Sequence, residues 1–353
     1  MDNKSLSAWL RFSRISLTAG PARKLLTAFG SPEAVLDASP DLLESFDIRD
    51  IVSRVAAAKA ADIDWDLRTV EKLDIDLVPF TDERYPTKLA EIKDPPALLF
   101  VRGDITRCEG DALAVVGSRR HTHYGRKITA EVAGGAAKAG IIIVSGGAAG
   151  IDTAAHEAAL GAGGVTVSVL GCGIDIAYPT TNARLYDKIA ETGAVISEYP
   201  IGFQATNWTF PQRNRIISGL SDGVLVIGAP ANSGALITAD YARKQGREVF
   251  AVPGNVDDPR NAGSLRLIKE GAKVVMSAED VCGFFAKEAA TEAAKEIDLT
   301  EEERAVFNII DFEPILFDDI AAAAGNIDLS SVLLSLEIKG VVSRLPGNQY
   351  IRN

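Results

Sequence analysis

Apolar residues follow two rhythms along this chain, and the change of rhythm marks its parts. From the start to about residue 62 they recur every three or four positions, the spacing of amphipathic helices. Ser5 to Phe12 reads as one short helix. Gly20-Pro21 opens a second that runs to Phe29, with Gly30 as its C-cap. Ser31-Pro32-Glu33 sets a capping serine before a proline at the first helical position, and a further helix runs from about Arg49 to Ala61. Short apolar runs then take over at 112–116, 141–144, 165–170, 194–196, 223–228, 248–252 and 272–275. Runs of this kind are strands of a parallel sheet covered on both faces. Helical stretches near 125–139, 150–162, 182–192, 235–245 and 263–270 lie between them. Such β–α alternation predicts a doubly wound, mostly parallel sheet. Asp76 to Phe80 and Ala97 to Val101 read as two strands ahead of it, with Tyr85-Pro86 and Asp94-Pro95-Pro96 as turns.

After residue 283 the pattern changes again. Residues 284–296 are an Ala/Glu/Lys helix or linker. Thr300 then caps an acidic first turn, Glu301-Glu302-Glu303. Ile315 to Ala323 and Ser330 to Lys339 read as two more helices, and Gly340 to Ile351 as a hairpin turning at Pro346-Gly347-Asn348. Three helices and a hairpin make a winged-helix arrangement. The expected fold class is therefore α/β: an extended Rossmann-like sheet with a small all-helical, SAM-like domain before it and a winged-helix domain after it. The expected domains are 1–65 (helical), 66–283 (Rossmann-like), 284–296 (linker) and 297–353 (winged helix).

Composition narrows the class. Of 353 residues, 47% are apolar, enough for ordinary cores. No apolar run approaches the length of a membrane span, and the first residues lack a signal-peptide pattern. Cys108, Cys172 and Cys282 are odd in number and far apart, which favours a reducing cytoplasm and gives no zinc spacing. Neither a metal nor a cofactor is expected, and His121 and His123 read as solvated loop residues. The net charge of −11 argues against a generally basic nucleic-acid binder but leaves room for a local cationic groove. Between 297 and 353 ten acids face four bases, a net of −6. That favours protein contact over DNA for the winged helix.

Candidate chemistry lies where the strands end. Ligands of doubly wound sheets bind outside the carboxyl ends of the strands. There the chain carries Gly117-Ser118-Arg119, Ser145-Gly146-Gly147, Gly171-Cys172-Gly173, Ser197-Glu198, Ala231-Asn232-Ser233-Gly234 and Pro253-Gly254-Asn255. Glycine lets backbone N–H groups approach an anion, a helix N-terminus favours it, and Arg119 adds a full charge. Tight turns alone also explain such glycines. No good G-x-G-x-x-G and no G-x-x-x-x-G-K-[ST] is present, so neither a dinucleotide dehydrogenase nor a P-loop ATPase is supported. A second cluster spans 207–219, where Trp208 and Phe210 precede Arg213-Asn214-Arg215. Arginine forks hold phosphates and exposed aromatics stack bases, so a loop of this kind before a helix suits a single strand. The alternative has both aromatics in the core and Arg213 paired with Asp222 or Glu198.

These motifs resemble, in order, the DNA processing protein A (DprA/Smf) family of natural transformation. The resemblance covers residues 76–282 and rests on Val115-Val-Gly-Ser-Arg119, Tyr124-Gly-Arg126, Val144-Ser-Gly-Gly-Ala-Ala-Gly-Ile-Asp-Thr-Ala-Ala-His156, Val169-Leu-Gly-Cys-Gly-Ile-Asp175 with Tyr178-Pro179, and Ser197-Glu198. It continues through Phe210-Pro-Gln-Arg-Asn-Arg-Ile-Ile-Ser-Gly-Leu-Ser221, Ser233-Gly-Ala-Leu-Ile-Thr238 and Gly246-Arg-Glu-Val-Phe-Ala-Val-Pro-Gly254. It implies a non-enzymatic, cytoplasmic protein of DNA recombination and competence. Such a protein binds single-stranded DNA, protects it, dimerises through the Rossmann-like domain and loads RecA. It further implies that Ser118 and Arg119 hold phosphates while Gly117, Gly146 and Gly147 allow close approach. Arg213 and Arg215 would add charge or brace the groove, Phe210 and Asn214 would form a base pocket, and Ser233, Gly234 and Thr238 would line the crevice. Asp152 and His156 would shape the loop. The dimer face is expected at the last strand and helix, about residues 248–275.

Three cations common in the family are replaced here, by Thr180-Thr181, by Asn207-Trp208 and by Ala148-Ala149-Gly150, which predicts weaker and less salt-sensitive binding. Two other function classes compete. A phosphoribohydrolase-type nucleotide enzyme shares the fold class, but Ala231–Thr238 lacks that group's catalytic Glu, leaving Glu198 as the best candidate acid or base. A structural adaptor would act through residues 297–353.

Overall fold

A computed structural model of the chain describes residues 2–286, 299–311, 314–325 and 327–352. It divides into two units near residue 280. Among the described residues, the first unit holds nine strands in one sheet: β1 (Ile75–Pro79), β2 (Leu98–Gly103), β3 (Ala112–Gly117), β4 (Ile142–Ser145), β5 (Thr166–Val169), β6 (Ala194–Ser197), β7 (Gly223–Ile227), β8 (Glu248–Ala251) and β9 (Lys273–Val274). Every strand expected from the apolar runs is present, with ends shifted by up to two residues. The order across the sheet is β1-β2-β6-β5-β4-β3-β7-β8-β9. Strands β3 to β9 are mutually parallel, while β2 meets β6 and β1 meets β2 antiparallel. Side chains of β3, β4, β5 and β7 are buried on both faces, which is why β3, β4 and β7 read as runs of Val, Ile, Leu and Ala, while β5 buries Thr166 and Ser168 between its valines.

Six helices precede the sheet: α1 (Asn3–Ser13), α2 (Ala19–Phe29), α3 (Pro32–Leu36), α4 (Pro40–Glu44), α5 (Ile51–Ala60) and α6 (Asp64–Leu73). Gly30 ends α2 at φ +81°, and Ser31 Oγ accepts from Ala34 N at the start of α3, as the residue types predict. Their core is continuous with the sheet edge: Leu10, Leu25 and Val55 share one cluster with Leu77, Leu98 and Phe100. Helix α6 was not anticipated. Its Asp66 is buried and takes a two-pronged grip from Arg14 at 2.8 and 2.9 Å, a pairing across 52 residues that local pattern does not reveal.

Then come α7 (Thr87–Ala90), α8 (His123–Lys138), α9 (Ile151–Gly161), α10 (Ala183–Thr192), α11 (Thr209–Gly219), α12 (Gly234–Lys244) and α13 (Ala262–Lys269). From β3 the chain winds one way through β4, β5 and β6, then returns to β7 beside β3 and winds the other way through β8 and β9. The loops leaving β3 and β7 therefore part to opposite faces and leave a crevice at the carboxyl edge.

The second unit is a winged helix. Its helices are Glu301–Ile309, Phe317–Ala324 and Leu329–Ile338, with Ile315–Leu316 forming a short strand where a helix start was expected. That strand joins the hairpin Val342–Leu345/Gln349–Arg352 in a small antiparallel sheet. Thr300 and Glu303 close a reciprocal capping box. Most of the expected linker, residues 287–296, lies outside the described residues. Among the described residues no single helix is long and apolar enough to cross a membrane.

Candidate functional site

The crevice between β3 and β7 has a volume of about 440 Å³. One rim is Gly117-Ser118-Arg119 after β3; the other is Asn232-Ser233-Gly234 and Thr238 at the start of α12. One face of α11 forms the wall, with Phe210, Arg213, Asn214 and Ile217, and Ala148 and Asp152 lie at the back. Gly117 is demanded by packing, since a Cβ there would stand 2.1 Å from Ile227 O. Ser233 caps α12, its Oγ accepting from Ala235 N at 3.3 Å. The backbone donors of that helix start therefore face the crevice.

Arg119 is exposed, and its guanidinium lies 5.0 Å from the centroid of the Phe210 ring. Tyr178, 44% exposed, packs on the same ring at 5.2 Å. Arg119 takes no hydrogen bond or ion pair among the described residues, so its charge is available to an anion. Motif order alone gives Tyr178 no role of its own at the site. An aromatic residue ahead of a proline in a crevice loop was the signal that marked it.

The Phe-Pro-Gln-Arg-Asn-Arg segment is not a loop before a helix. It is α11 itself, with Pro211 in the first turn, where a missing N–H costs nothing. Residues 213–220 are buried under α12 and the sheet. Helical phase separates the two arginines. Arg213, 4% exposed, donates to Gly146 O at 2.7 Å and to Val169 O. Gly146 leaves room for it: a Cβ there would lie 2.5 Å from Arg213 Nη2. Asp152, beneath, accepts from Gly146 N at 3.2 Å and Ala148 N at 3.3 Å. Burial pushes its carboxyl up, opposed by Arg213; burial likewise pushes Arg213 down, opposed by Asp152. Arg213 thus braces the second loop from inside the wall.

Gly146 and Gly147 stand behind the crevice rather than on its surface. Gly147 sits at φ +66°, and its carbonyl accepts from Asn182 Nδ2 and Tyr186 OH, both at 2.9 Å. Asn214 Nδ2 donates to Gly234 O at 3.2 Å, tying α11 to the start of α12. Arg215 faces the opposite side of α11, where its Nη2 donates to Glu198 Oε2 at 2.5 Å and its Nε lies 3.8 Å from Asp94. The pairing weighed for Arg213 belongs to its neighbour, and Asp222 is held by Lys88 at 2.5 Å. His156 is fully buried and turns to Thr166 Oγ1 at 2.7 Å; burial holds it neutral, down to about 3. Asn207 lines the crevice and Ala149 is exposed beside it, so two of the three replaced cations fall at the mouth.

Residues 76–286 match the family model described as DNA recombination-mediator protein A, and residues 289–348 match the DprA winged helix domain. The chain is 44% identical over 208 residues to the DNA processing protein DprA of Bacillus subtilis, covering 59% of this chain and 70% of that one. The solved structure of DNA processing protein A from Streptococcus pneumoniae superposes with a TM-score of 0.69 at 38% identity, covering 77% of this chain and 95% of the other. A second, from Helicobacter pylori and described for its unique single-stranded DNA binding mode, gives 0.56 at 31% identity over 61% of this chain and 97% of that one.

Proposed function

The chain belongs to the DNA processing protein A (DprA/Smf) family, and from that premise we propose that it binds single-stranded DNA in the crevice between β3 and β7. The observation that carries this reading is the row Tyr178–Phe210–Arg119: two aromatic rings and one unpaired cation at the mouth of a switch-point crevice. Arg119 grips a phosphate oxygen, with Ser118 and the backbone at Ser233 and Gly234 as further donors. A base stacks against the aromatic pair, which a paired duplex does not offer. Gly117, Gly146, Gly147, Arg213, Asn214 and Thr238 shape the wall that presents these groups, and Arg215 acts on the far side of α11. The Helicobacter pylori relative, described for its single-stranded DNA binding mode, supports the ligand class.

The protein is a binder and not an enzyme. Asp152 is the single carboxylate among the described crevice residues, and two backbone N–H groups occupy it. Glu198, the best acid–base candidate, is on the other side of α11. In the fuller reading the protein works in the cytoplasm in natural transformation and recombination, protects incoming strands and hands them to RecA. It does so as a homodimer through residues 248–275, where β9 is an edge strand with Val274 and Met276 exposed. Gel shifts with single- and double-stranded oligonucleotides test the core claim. Preference for single strands that Arg119→Ala abolishes is expected. Equal binding by the variant removes the site assignment, and release of base from nucleoside monophosphates removes the binder reading.

A further inference from the structure

Helix α11 has a second side. Where Phe210 and Asn214 face the crevice, Trp208 and Arg215 face a separate pocket of about 250 Å³, closed by the segment joining α1 to α2. Its polar floor is Glu198, Arg215 and Asp94. Arg215 is nine-tenths buried, yet its Nη1 has no hydrogen-bond partner among the described residues, and neither does Glu198 Oε1. Both of these atoms are closed to solvent; the pair lines the pocket with the part that stays accessible, 10% of the Arg215 side chain and 14% of the Glu198 side chain. Its apolar wall is aromatic: Tyr199 and Phe203 stack at 5.0 Å, and Trp208, 53% exposed, stands edge-on to Phe203 at 6.0 Å.

This floor holds two carboxylates and one guanidinium, so it repels a phosphate and suits a neutral ring. The ring must donate to a carboxylate and accept from an arginine side by side. Guanine does so along its Watson–Crick edge, with N1–H and N2–H as donors and O6 as acceptor. Thymine offers a single N–H, adenine has no carbonyl for the arginine, and cytosine sets its amino donor beside a ring nitrogen rather than a carbonyl. We propose that this pocket is a second, base-reading subsite for guanine, with Glu198 as acceptor, Arg215 as donor and Trp208 as the stacking face. It rests on the reading of the crevice as a single-strand site: Trp208 is two residues from Phe210, so a strand crossing the first turn of α11 presents successive bases to the two sides.

The test compares a short thymidine oligonucleotide with the same oligonucleotide carrying one central dG, by fluorescence anisotropy. Wild type binds the dG strand at least roughly five-fold more tightly. Glu198→Gln binds both strands as wild type binds the thymidine one, and Trp208→Ala, at an exposed position, also loses the preference. Equal affinities in wild type, or a preference surviving both variants, overturn the proposal. Failure of wild type to bind the thymidine strand overturns the crevice reading instead. Quenching of Trp208 emission, taken as the difference from Trp208→Phe, identifies the source. Saturable quenching by dGMP alone assigns the pocket to the free nucleotide, and quenching by the dG strand alone assigns it to the bound strand. Quenching by neither overturns the subsite.

Discussion

Arg119→Ala and Arg213→Ala delete the same charge from one crevice, and they should fail in different assays. Arg213 is 4% exposed and its guanidinium serves Gly146 O and Val169 O above a buried Asp152. Truncation leaves two carbonyls unpaired and a carboxyl without its counter-charge. Each buried carbonyl left without a donor costs about 1–3 kcal/mol, so the two together cost about 2–6 kcal/mol. For a unit of this size each kcal/mol lowers Tm by roughly 2–4 °C, so calorimetry should record a fall of about 4–24 °C. Arg213→Lys should recover little, because an ammonium does not reproduce the fork. Among the described residues the one polar or ring interaction of the Arg119 side chain is with Phe210, and its removal should move stability by no more than about 0.5 kcal/mol. Its cost appears in DNA binding: the slope of log K against log salt should shrink by about 0.7, the value of one phosphate contact on a single strand. An Arg213→Ala protein that melts like wild type but loses that slope would refute the assignment of roles.

Gly146→Ala should reproduce the Arg213→Ala phenotype, since its Cβ would lie 2.5 Å from the guanidinium; a matching fall in Tm checks this. Ala149→Arg restores a cation at the exposed mouth, and single-strand affinity should rise with the salt slope steepening by about 0.7. In the winged helix, the Lys339 ammonium above all, with Ser335 Oγ and Thr300 N, holds the Glu303 carboxyl down to about 2 from its ordinary 4.5. That contribution to stability is present above about pH 4.5 and lost as pH falls through about 2. The Tm gap between wild type and Glu303→Gln should close over that window in calorimetry of the whole chain.

The sheet was legible because its strands are buried on both faces, so Val115, Val144 and Val226 sit in runs that no amphipathic helix tolerates. The crevice members were legible from loops at strand ends and from motif order. What local pattern hid was the phase of α11. Arg213, Asn214 and Arg215 are all buried, and three consecutive buried polar residues read as a polar loop. Their partners, Gly146 O, Gly234 O and Glu198, come from remote segments, so only the fold tells which arginine is open at the crevice mouth and which holds the wall. Helix α6 was missed for the same reason, with Asp66 answered by Arg14.

The brace from Arg213 has a kinetic consequence. Because the wall is locked from within by Gly146 O and Val169 O, the crevice is rigid before any strand arrives, and little ordering accompanies binding. With Arg119 as the one free cation among the described rim residues, each grip on a strand would be quick to form and quick to release. In the proposed homodimer, two such crevices on one strand would act at an effective concentration set by the span between them, so residence time would climb steeply once the strand is long enough to reach both. Short fragments would then dissociate quickly and long ones stay, which would make strand length the quantity such a dimer measures.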